Sequence, residues 1–310
     1  MRIYILSRNE ELYSTRRLVE EAKAKGWEVR VIDYLKCTIE IMKNELVINY
    51  EGKILPTPDA IIPRIGASRT FYGTAMVRHF EMMDVFSTSG NLAIARSRDK
   101  LRSLQVLSKK GVDMPKTIFA SNKSNAKDVI ALSGGAPLVL KILEGTQGVG
   151  VVLVDSEKAA KSVLDAFYGM EVNLLVQEFI EEAGGADIRA LVVNDEVVGA
   201  MKRQGAEGDF RSNLHQGGSA TAYKLSRKEK ATALAAAKAM GLGVCGVDMI
   251  PSKRGPLVME VNSSPGLEGI EKSTNINIAA KIMDFIEKSV KPKCPINPQK
   301  RKLKKDKIGA

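Results

Sequence analysis

The chain has 310 residues, with 47 Lys and Arg against 36 Asp and Glu, and it is 44% hydrophobic and 27% charged. This composition is typical of globular proteins and excludes a fibrous repeat or a wholly disordered chain. Three scattered cysteines and two histidines exclude a disulfide framework and a zinc finger. No apolar run approaches the ~18 residues of a membrane span, and the N-terminal run is too short for a signal peptide. We therefore expect a cytoplasmic protein of two or three domains that does not associate with membranes.

The basic charge is concentrated at the C-terminal end. Residues 291–310 hold eight basic residues and one acidic residue, and their net charge of +7 leaves only +4 for residues 1–290. Three prolines and few apolar residues predict that this tail is disordered in isolation. Two interpretations stay open: the tail contacts RNA, the ribosome, acidic proteins or membrane headgroups, or it is a solvated segment without a partner.

The first part of the chain alternates short apolar runs with helical patterns. The runs RIYILS, WEVRVID and DAIIPRIG predict strands, and VINYEGKIL predicts a hairpin that turns at Glu51 and Gly52. Helices are predicted over Glu10–Lys25 and Phe71–Met83. This alternation is typical of an open α/β sheet, so we predict a small α/β domain over residues 1–95.

The rest of the pattern divides into two further blocks. A basic helix over Ser97–Lys110 leads into residues 96–182, where the strand patterns TIFA, PLVLKI, VVLVD and LLVQEFI alternate with two helices. Residues 183–290 contain two hairpin patterns, DIRALVV with EVVGAMKRQ and VCGVDMI with LVMEVN, separated by an alanine-rich helix. The predicted fold class is therefore α/β, with two α+β subdomains after the first domain.

One glycine motif is a false match. Residues 241–246, GLGVCG, fit the dinucleotide fingerprint GxGxxG. That fingerprint needs a strand before it and a helix after it, because the pyrophosphate binds at the helix N-terminus. Here the alanine-rich helix comes first and a strand follows, so we interpret these glycines as a helix cap.

The hairpin near residue 250 carries the strongest chemical signal. Glu260 and Asn262 are two residues apart and project from one face of their strand, and Asp248 lies on the predicted partner strand. The residues between and beside them are apolar, which predicts that the opposite face is core. Two carboxylates and an amide oxygen on one sheet face favour a hard cation such as Mg²⁺ over a merely solvated polar surface.

Two further features favour phosphate binding near this hairpin. The glycine-rich segment 144–150, EGTQGVG, allows backbone N–H groups to converge on phosphate oxygens, and Lys141 ends the preceding strand. Arg189 and Arg203 lie on neighbouring predicted strands, and the arginine fork suits phosphate and carboxylate oxygens. Taken singly, the segment is equally consistent with a flexible loop, and each arginine with a surface ion pair.

These motifs, in this order, resemble the RimK-type ATP-grasp carboxylate–amine ligases. The likeness rests on RIYILSR, PRIGASRTFYG, ARSRDKLRS, EGTQGVGV, QEFI, FRSNLH, VDMI and MEVNSSPGLEGIE, and it stops short of the basic tail. It implies an ATP-grasp fold preceded by an open-sheet domain. It also implies an enzyme that adds L-glutamate to the C-terminal glutamate of a small-subunit ribosomal protein.

The resemblance further implies where ATP, metal ions and substrates bind. ATP is expected between the two α+β subdomains, with two Mg²⁺ ions, or Mn²⁺ in their place, bridged by Glu260. Arg203 is expected to stabilise the transferring phosphoryl group, and Arg189 to hold substrate carboxylates. The implied ATP contacts are Lys100, Lys141, Gly145, Gly148, Gly150, Glu178, Phe179, Asp187, Arg211, Ser212 and Asn213, and the implied metal ligands are Asp248, Glu260 and Asn262.

The implied reaction needs no protein nucleophile. An acceptor carboxylate attacks ATP to give an acyl phosphate, and the amine of glutamate then displaces phosphate. Two alternatives stay open: a ligase that joins glutamate to a cofactor or an amino-acid intermediate, and a non-catalytic protein that binds RNA or ribosomes through its tail. We also expect a homo-oligomer.

Overall fold

A computed structural model describes residues 1–121, 123–143, 150–206, 210–212 and 217–290. The first part of the chain forms an α/β unit, because its buried apolar runs become strands and its amphipathic patterns become helices. These elements are β1 (Arg2–Leu6), α1 (Tyr13–Ala24), β2 (Glu28–Ile32), β3 (Cys37–Met42), β4 (Glu45–Tyr50), β5 (Lys53–Ile54), β6 (Ala60–Pro63), α2 (Thr70–Met82), β7 (Phe86–Ser87) and α3 (Asn91–Arg98).

A parallel sheet in the order β2-β1-β6-β7 forms the centre of this unit, and β3, β4 and β5 form a separate antiparallel sheet. The predicted hairpin is confirmed as β4-β5, and its loop residues Glu51 and Gly52 have the positive φ angles, 51° and 79°, of a tight two-residue loop. The chain leaves β1 towards β2 on one side and β6 lies on the other. The carboxyl ends of β1 and β6 therefore border a crevice of the kind that binds ligands in open α/β sheets.

The predicted basic helix over Ser97–Lys110 is confirmed, but it begins at Lys100, because Ser97 and Arg98 belong to the end of α3. Asp99 adopts an extended conformation (φ −87°, ψ 103°), and its carboxylate accepts the Arg102 N–H (2.9 Å) as the N-cap of α4 (Lys100–Lys109). The elements that follow are β8 (Thr117–Ala120), α5 (Ala126–Ser133), β9 (Leu138–Ile142), β10 (Val151–Val154), α6 (Glu157–Gly169) and β11 (Leu174–Glu178). Their strands form an antiparallel sheet in the order β10-β9-β11-β8.

The C-terminal part builds an antiparallel sheet in which both predicted hairpins are confirmed. Its elements are β12 (Ala186–Val193), β13 (Glu196–Gln204), β14 (Ser219–Ala222), α7 (Arg227–Met240), β15 (Val244–Ile250), β16 (Leu257–Asn262), α8 (Glu268–Thr274) and α9 (Ile278–Ser289). The strand order is β14-β13-β12-β15-β16. Helix α7 begins with a capping box of Ser226 and Glu229 and ends at Gly241, which is left-handed (φ 74°). The interpretation of this glycine as a helix cap is confirmed.

The first unit and the C-terminal part share buried hydrophobic clusters, whereas the middle sheet has a cluster of its own. Tyr4 of the first unit shares one buried cluster with Val261 of β16, and Ile3 shares another with Ile282 of α9. The sheet of β8–β11 has its own cluster with α5 and α6, which includes Leu140. The predicted domain divisions at residues 95 and 182 stay predictions. Within the described ranges, no helix combines the length and apolar character that crossing a membrane requires.

Candidate active site

A row of charged side chains crosses the C-terminal sheet. Arg189 on β12 lies directly opposite Asp248 on β15, which lies directly opposite Glu260 on β16. Directly opposed residues of an antiparallel ladder project from the same face of the sheet. The expected placement of Asp248 beside Glu260 is therefore confirmed, and the role of these residues as metal ligands stays a prediction.

The Asp248 carboxylate is buried and held by two arginines. It accepts hydrogen bonds from Arg189 Nε (2.6 Å), Arg189 Nη2 (2.5 Å) and Arg203 Nη2 (2.9 Å). Burial is the largest single influence and would raise the pKa of Asp248. The attractions to Arg189 and Arg203 together outweigh burial and hold the pKa well below its ordinary value. Asp248 is therefore ionised throughout the physiological range.

Arg203 joins Asp248 to a second buried carboxylate. Asp187 and Arg203 face each other across β12 and β13, and Arg203 donates from Nε (2.7 Å) and Nη2 to the two oxygens of Asp187. The Ser212 hydroxyl also donates to Asp187, yet burial raises the pKa of this carboxyl above its ordinary value. Within the described residues, neither Arg203 nor Arg189 uses Nη1 in a hydrogen bond. Each arginine thus keeps donors for a substrate oxygen.

The predicted metal ligands retain acceptor positions that a hard cation needs. A carboxylate offers about four such positions, and the arginines use three of those of Asp248. Glu260 accepts no hydrogen bond from the described residues, and its cationic neighbour, Arg189 Nη2, is 4.0 Å away. The Asn262 side-chain oxygen accepts one N–H, from Ser264 (2.9 Å). This all-oxygen set fits Mg²⁺ or Mn²⁺.

Electrostatics at Glu260 support the same fit. Its side chain is 55% exposed, but it stands in a cleft where neighbouring protein removes part of its water. That desolvation, followed by repulsion from Asp248, raises the pKa of Glu260, and a divalent cation between the two carboxylates would relieve the repulsion. The described residues contain no metal-binding group of three or more His, Cys, Asp or Glu side chains. The third protein ligand would therefore be the amide oxygen of Asn262.

Two lysines bring positive charge to the same cleft. Lys141 on β9 donates from Nζ to Gln177 Oε1 (2.6 Å), and Lys100, the first residue of α4, donates to the Leu143 carbonyl (2.9 Å). Burial lowers the pKa of Lys141 to about 8; the negative charge of Glu260 opposes this shift, and the positive charge of Lys100 adds to it. Because these charges act on one another, both lysines and Glu260 border one space between the middle sheet and the C-terminal sheet.

The expected adenine-reading segment follows β11. The Glu178 carboxylate accepts the Lys116 N–H (2.6 Å), and the Glu178 N–H donates to the Lys116 carbonyl (3.0 Å). Both groups of Glu178 are therefore engaged within the sheet. The backbone N–H and C=O of Phe179 make no hydrogen bond to the described residues, so Phe179 presents the available backbone edge.

Aromatic contacts join this segment to the glycine-rich stretch. The rings of Phe179 and Phe210 pack edge to face with centroids 6.4 Å apart, and the Arg211 guanidinium lies 5.8 Å from the Phe210 ring centroid. Together with the bond from Ser212 to Asp187, these contacts place residues 210–212 between the hinge and the row of charges. The predicted ATP contacts of Arg211 and Ser212 stay predictions.

The glycine loop is described only at its end. Gly145, Gly148 and Asn213 lie outside the described residues, as does the basic tail. Gly150 has a φ of 75°, and a Cβ added there would lie 2.2 Å from the Ile142 side chain. Glycine is therefore required at position 150 for both backbone conformation and space.

Two arginines of the first unit, Arg64 and Arg98, were not among the predicted site residues. Arg98, the last residue of α3, donates from Nη2 to the Ile65 carbonyl (2.6 Å), and Arg64 directly follows β6. Both lie in segments that carry the family resemblance, PRIGASRTFYG and ARSRDKLRS, but neither was predicted to have a role in the site. A usable signal was present, because neither arginine has an acidic residue at helix or strand spacing to pair with.

Comparison with known protein families and sequences accounts for nearly the whole chain. The RimK PreATP-grasp domain model matches residues 1–94, and the RimK-like ATP-grasp domain model matches residues 97–286. A probable alpha-L-glutamate ligase of Saccharophagus degradans is 62% identical over 292 residues, which covers 94% of this chain and 97% of the relative. A protein of the same name from Vibrio vulnificus is 62% identical over the same length and the same shares.

Solved structures establish the fold. The ATP-grasp ligase PsnB complexed with its minimal precursor has a TM-score of 0.73 at 19% identity, covering 94% of this chain and 98% of that one. D-alanine–D-alanine ligase from Bacillus anthracis complexed with ATP has a TM-score of 0.67 at 19% identity, covering 94% and 97%. The predicted ATP-grasp fold with a preceding α/β domain is confirmed.

Proposed function

The chain belongs to the RimK-like ATP-grasp family, and from that premise we propose that it adds L-glutamate to the C-terminal glutamate of a small-subunit ribosomal protein. Its class is that of ADP-forming carboxylate–amine ligases, which use ATP and Mg²⁺. The observation that carries the proposal is the cleft in which Lys100 and Lys141 face the row Arg189–Asp248–Glu260. The name of the relatives supports glutamate as the amino acid.

The first step activates the acceptor. An oxygen of the acceptor carboxylate bonds to the γ-phosphorus of ATP, the bond from that phosphorus to the bridging oxygen breaks, and ADP leaves. Lys100 and Lys141 bind the phosphates, and Arg203 Nη1 donates to the oxygens of the transferring group. When bound at Asp248, Glu260 and Asn262, Mg²⁺ neutralises phosphate charge.

The second step forms the amide. The neutral amine of L-glutamate attacks the acyl carbon, the carbon–oxygen bond to phosphate breaks, and the nitrogen releases a proton to solvent. Arg189 Nη1 stabilises negative charge on the acyl oxygen or holds a substrate carboxylate. The described residues offer no reason to invoke a protein nucleophile, because the acyl group is already activated by phosphate.

The identity of the acceptor, a ribosomal protein, is the most specific part of the proposal. The motif PRIGASRTFYG, outside the nucleotide site, supports this branch of the family over ligases of small molecules. The +7 charge of residues 291–310 supports it as well, because a basic segment is attracted to RNA-rich particles. We place the reaction in the cytoplasm and in a homo-oligomer on the same grounds of family resemblance.

The proposal is tested by mass spectrometry of small-subunit ribosomal proteins after incubation with the enzyme, ATP, Mg²⁺ and L-glutamate. We expect one protein to gain whole glutamyl units. We expect Glu260→Gln to abolish the gain and Glu268→Gln, an exposed residue of α8, to leave it unchanged. If no ribosomal protein gains mass while a small carboxylate acceptor does, the ribosomal acceptor is wrong. Glutamate-dependent ADP release by Glu260→Gln would show that the metal assignment is wrong.

A further inference from the structure

Arg64 and Arg98 form a cationic pair at the crevice of the first unit. The Arg64 N–H donates to the Leu6 carbonyl (3.0 Å), which places Arg64 between the carboxyl ends of β1 and β6. Arg98 reaches the carbonyl of the next residue, Ile65, at 2.6 Å. Two guanidinium groups therefore meet where an open α/β sheet binds its ligands.

Neither arginine of this pair forms an ion pair within the described residues, although the more distant Glu260 acts on Arg98. No carboxylate lies within ion-pairing distance of either arginine, and Arg98 Nε is buried without a hydrogen-bond partner. Burial, together with repulsion from Arg98, lowers the pKa of Arg64 to about 10. Both side chains are half-buried, and like charges that lose part of their water oppose folding unless an anion joins them, so this arrangement is costly in the absence of a ligand.

The pair is distinct from the lysines that face the phosphates. The charges that act on Lys141 are those of Glu260 and Lys100, whereas the charge that acts on Arg64 is that of Arg98. Glu260 acts on Arg98 as well as on Lys141. Helices α3 and α4 both pack on β16, which carries Glu260. Glu260, the predicted metal ligand, is therefore near enough to act on both the phosphate side and the arginine pair.

The segment after β16 supplies further polar groups at this edge. The Leu267 N–H donates to the hydroxyl of Ser14 in α1 (2.9 Å), so residues 263–267 run from Asn262 towards the carboxyl end of β1. The hydroxyls of Ser263 and Ser264 are buried and have no partner among the described residues. Buried hydroxyls without protein partners are uncommon, and these two are available to a water molecule, an ion or a polar ligand.

We propose that Arg64 and Arg98 bind a glutamyl carboxylate of a substrate, other than the carboxylate that receives phosphate. Two adjacent guanidinium groups match the two oxygens of a carboxylate. A carboxylate held there, with the ATP phosphates on the lysine side of Glu260, directs the reacting group of the same substrate towards the phosphates. The assignment rests on the proposed function for the identity of the substrate, which is either the incoming L-glutamate or the acceptor's terminal residue.

The test compares Arg64→Gln with wild type. The Arg64 side chain makes no hydrogen bond to the described residues, so its removal spares the fold. We expect the KM for L-glutamate or for a glutamate-terminated acceptor peptide to rise about 10- to 100-fold, the effect of losing a hydrogen bond to a charged group. The substrate whose KM rises identifies the source of the carboxylate. The Kd for MgATP should change less than twofold.

Two companion variants guard against misfolding and general charge effects. Arg98→Lys keeps the charge and loses the fork, and it should raise the same KM. Arg102→Gln removes an exposed arginine from α4 and should raise neither KM. Unchanged KM values in Arg64→Gln, or a parallel loss of MgATP affinity, would overturn the assignment.

A binding measurement separates this inference from the proposed function. Glutarate carries two carboxylates, and in the absence of ATP and L-glutamate it binds without reacting. We expect glutarate to raise the thermal unfolding temperature of wild type but not of Arg64→Gln, whether or not glutamate is the true substrate. Equal shifts in both proteins would overturn the assignment of the arginine pair as a carboxylate site, whereas a wild type that forms no glutamyl product would overturn only the proposed function.

Discussion

Replacing Lys141 with Met is expected to stabilise the free enzyme while it destroys nucleotide binding. Burial lowers the pKa of this lysine from 10.5 to about 8. At neutral pH the folded protein therefore holds a charged ammonium group in a site that has lost part of its water. The difference corresponds to roughly 3 kcal/mol of free energy of unfolding at neutral pH. Loss of the bond to Gln177 (2.6 Å) removes about 1 kcal/mol. The net expectation for Lys141→Met is a gain of about 2 kcal/mol at pH 7.

The pH dependence of the free energy of unfolding tests whether charged Lys141 is destabilising. A lysine with a lowered folded-state pKa is protonated in both states below pH 8, and there its destabilisation is complete. Between pH 8 and 10.5 only the unfolded chain holds the proton, so wild-type stability rises with pH. The advantage of Lys141→Met over wild type should therefore shrink across this window.

Urea denaturation at several pH values, with MgATP titration at pH 7, measures both effects. Lys158→Met, at an exposed position of α6, serves as the matched control and should change stability by less than about 0.5 kcal/mol. A Lys141→Met protein less stable than wild type at pH 7, or an advantage that widens with pH, would refute the reasoning.

Three further changes test other parts of the structure. Asp248→Asn leaves two buried guanidinium groups without their shared negative charge and should lower the free energy of unfolding by about 3–5 kcal/mol. The control Asp195→Asn, at an exposed position, should leave it unchanged. A loss below about 1 kcal/mol for Asp248→Asn in urea denaturation would contradict the ion-pair network. Gly150→Ala should destabilise by about 1–3 kcal/mol and Gly169→Ala should not; equal stabilities contradict the close contact. Deletion of residues 291–310 should weaken ribosome binding most at low salt, and unchanged cosedimentation contradicts a binding role.

The hairpins could be predicted from the sequence, because each consists of two apolar runs that are close together in the chain and joined by a short turn. The apolar residues beside Asp248 and Glu260 are buried, and this requirement sets the register of β15 against β16. Asp99 shows the limit of pattern reasoning at helix ends. Its neighbours read as one continuous helix, but a capping carboxylate stabilises a break more than the continuing helix would.

The ion pairs between the arginines and Asp248 could not be predicted from the sequence. Arg189 meets Asp248 because β12 lies beside β15, and these strands are far apart in sequence. No local pattern indicates which distant strands become neighbours in an antiparallel sheet. The sequence therefore predicted the acidic hairpin and the arginines separately, and only the strand order shows that Arg189 and Arg203 hold Asp248.

The division of buried clusters suggests how the two substrates meet. The first unit and the C-terminal sheet share their cores, so the arginine pair and the row of charges belong to one body. Lys141 belongs to the middle sheet, whose core is separate. Lys100 spans the gap, because its helix packs with the larger body while its Nζ bonds to the Leu143 carbonyl at the end of β9. We infer that the larger body positions the carboxylate and the middle sheet positions ATP. Closing the gap between them would exclude the water that hydrolyses an acyl phosphate.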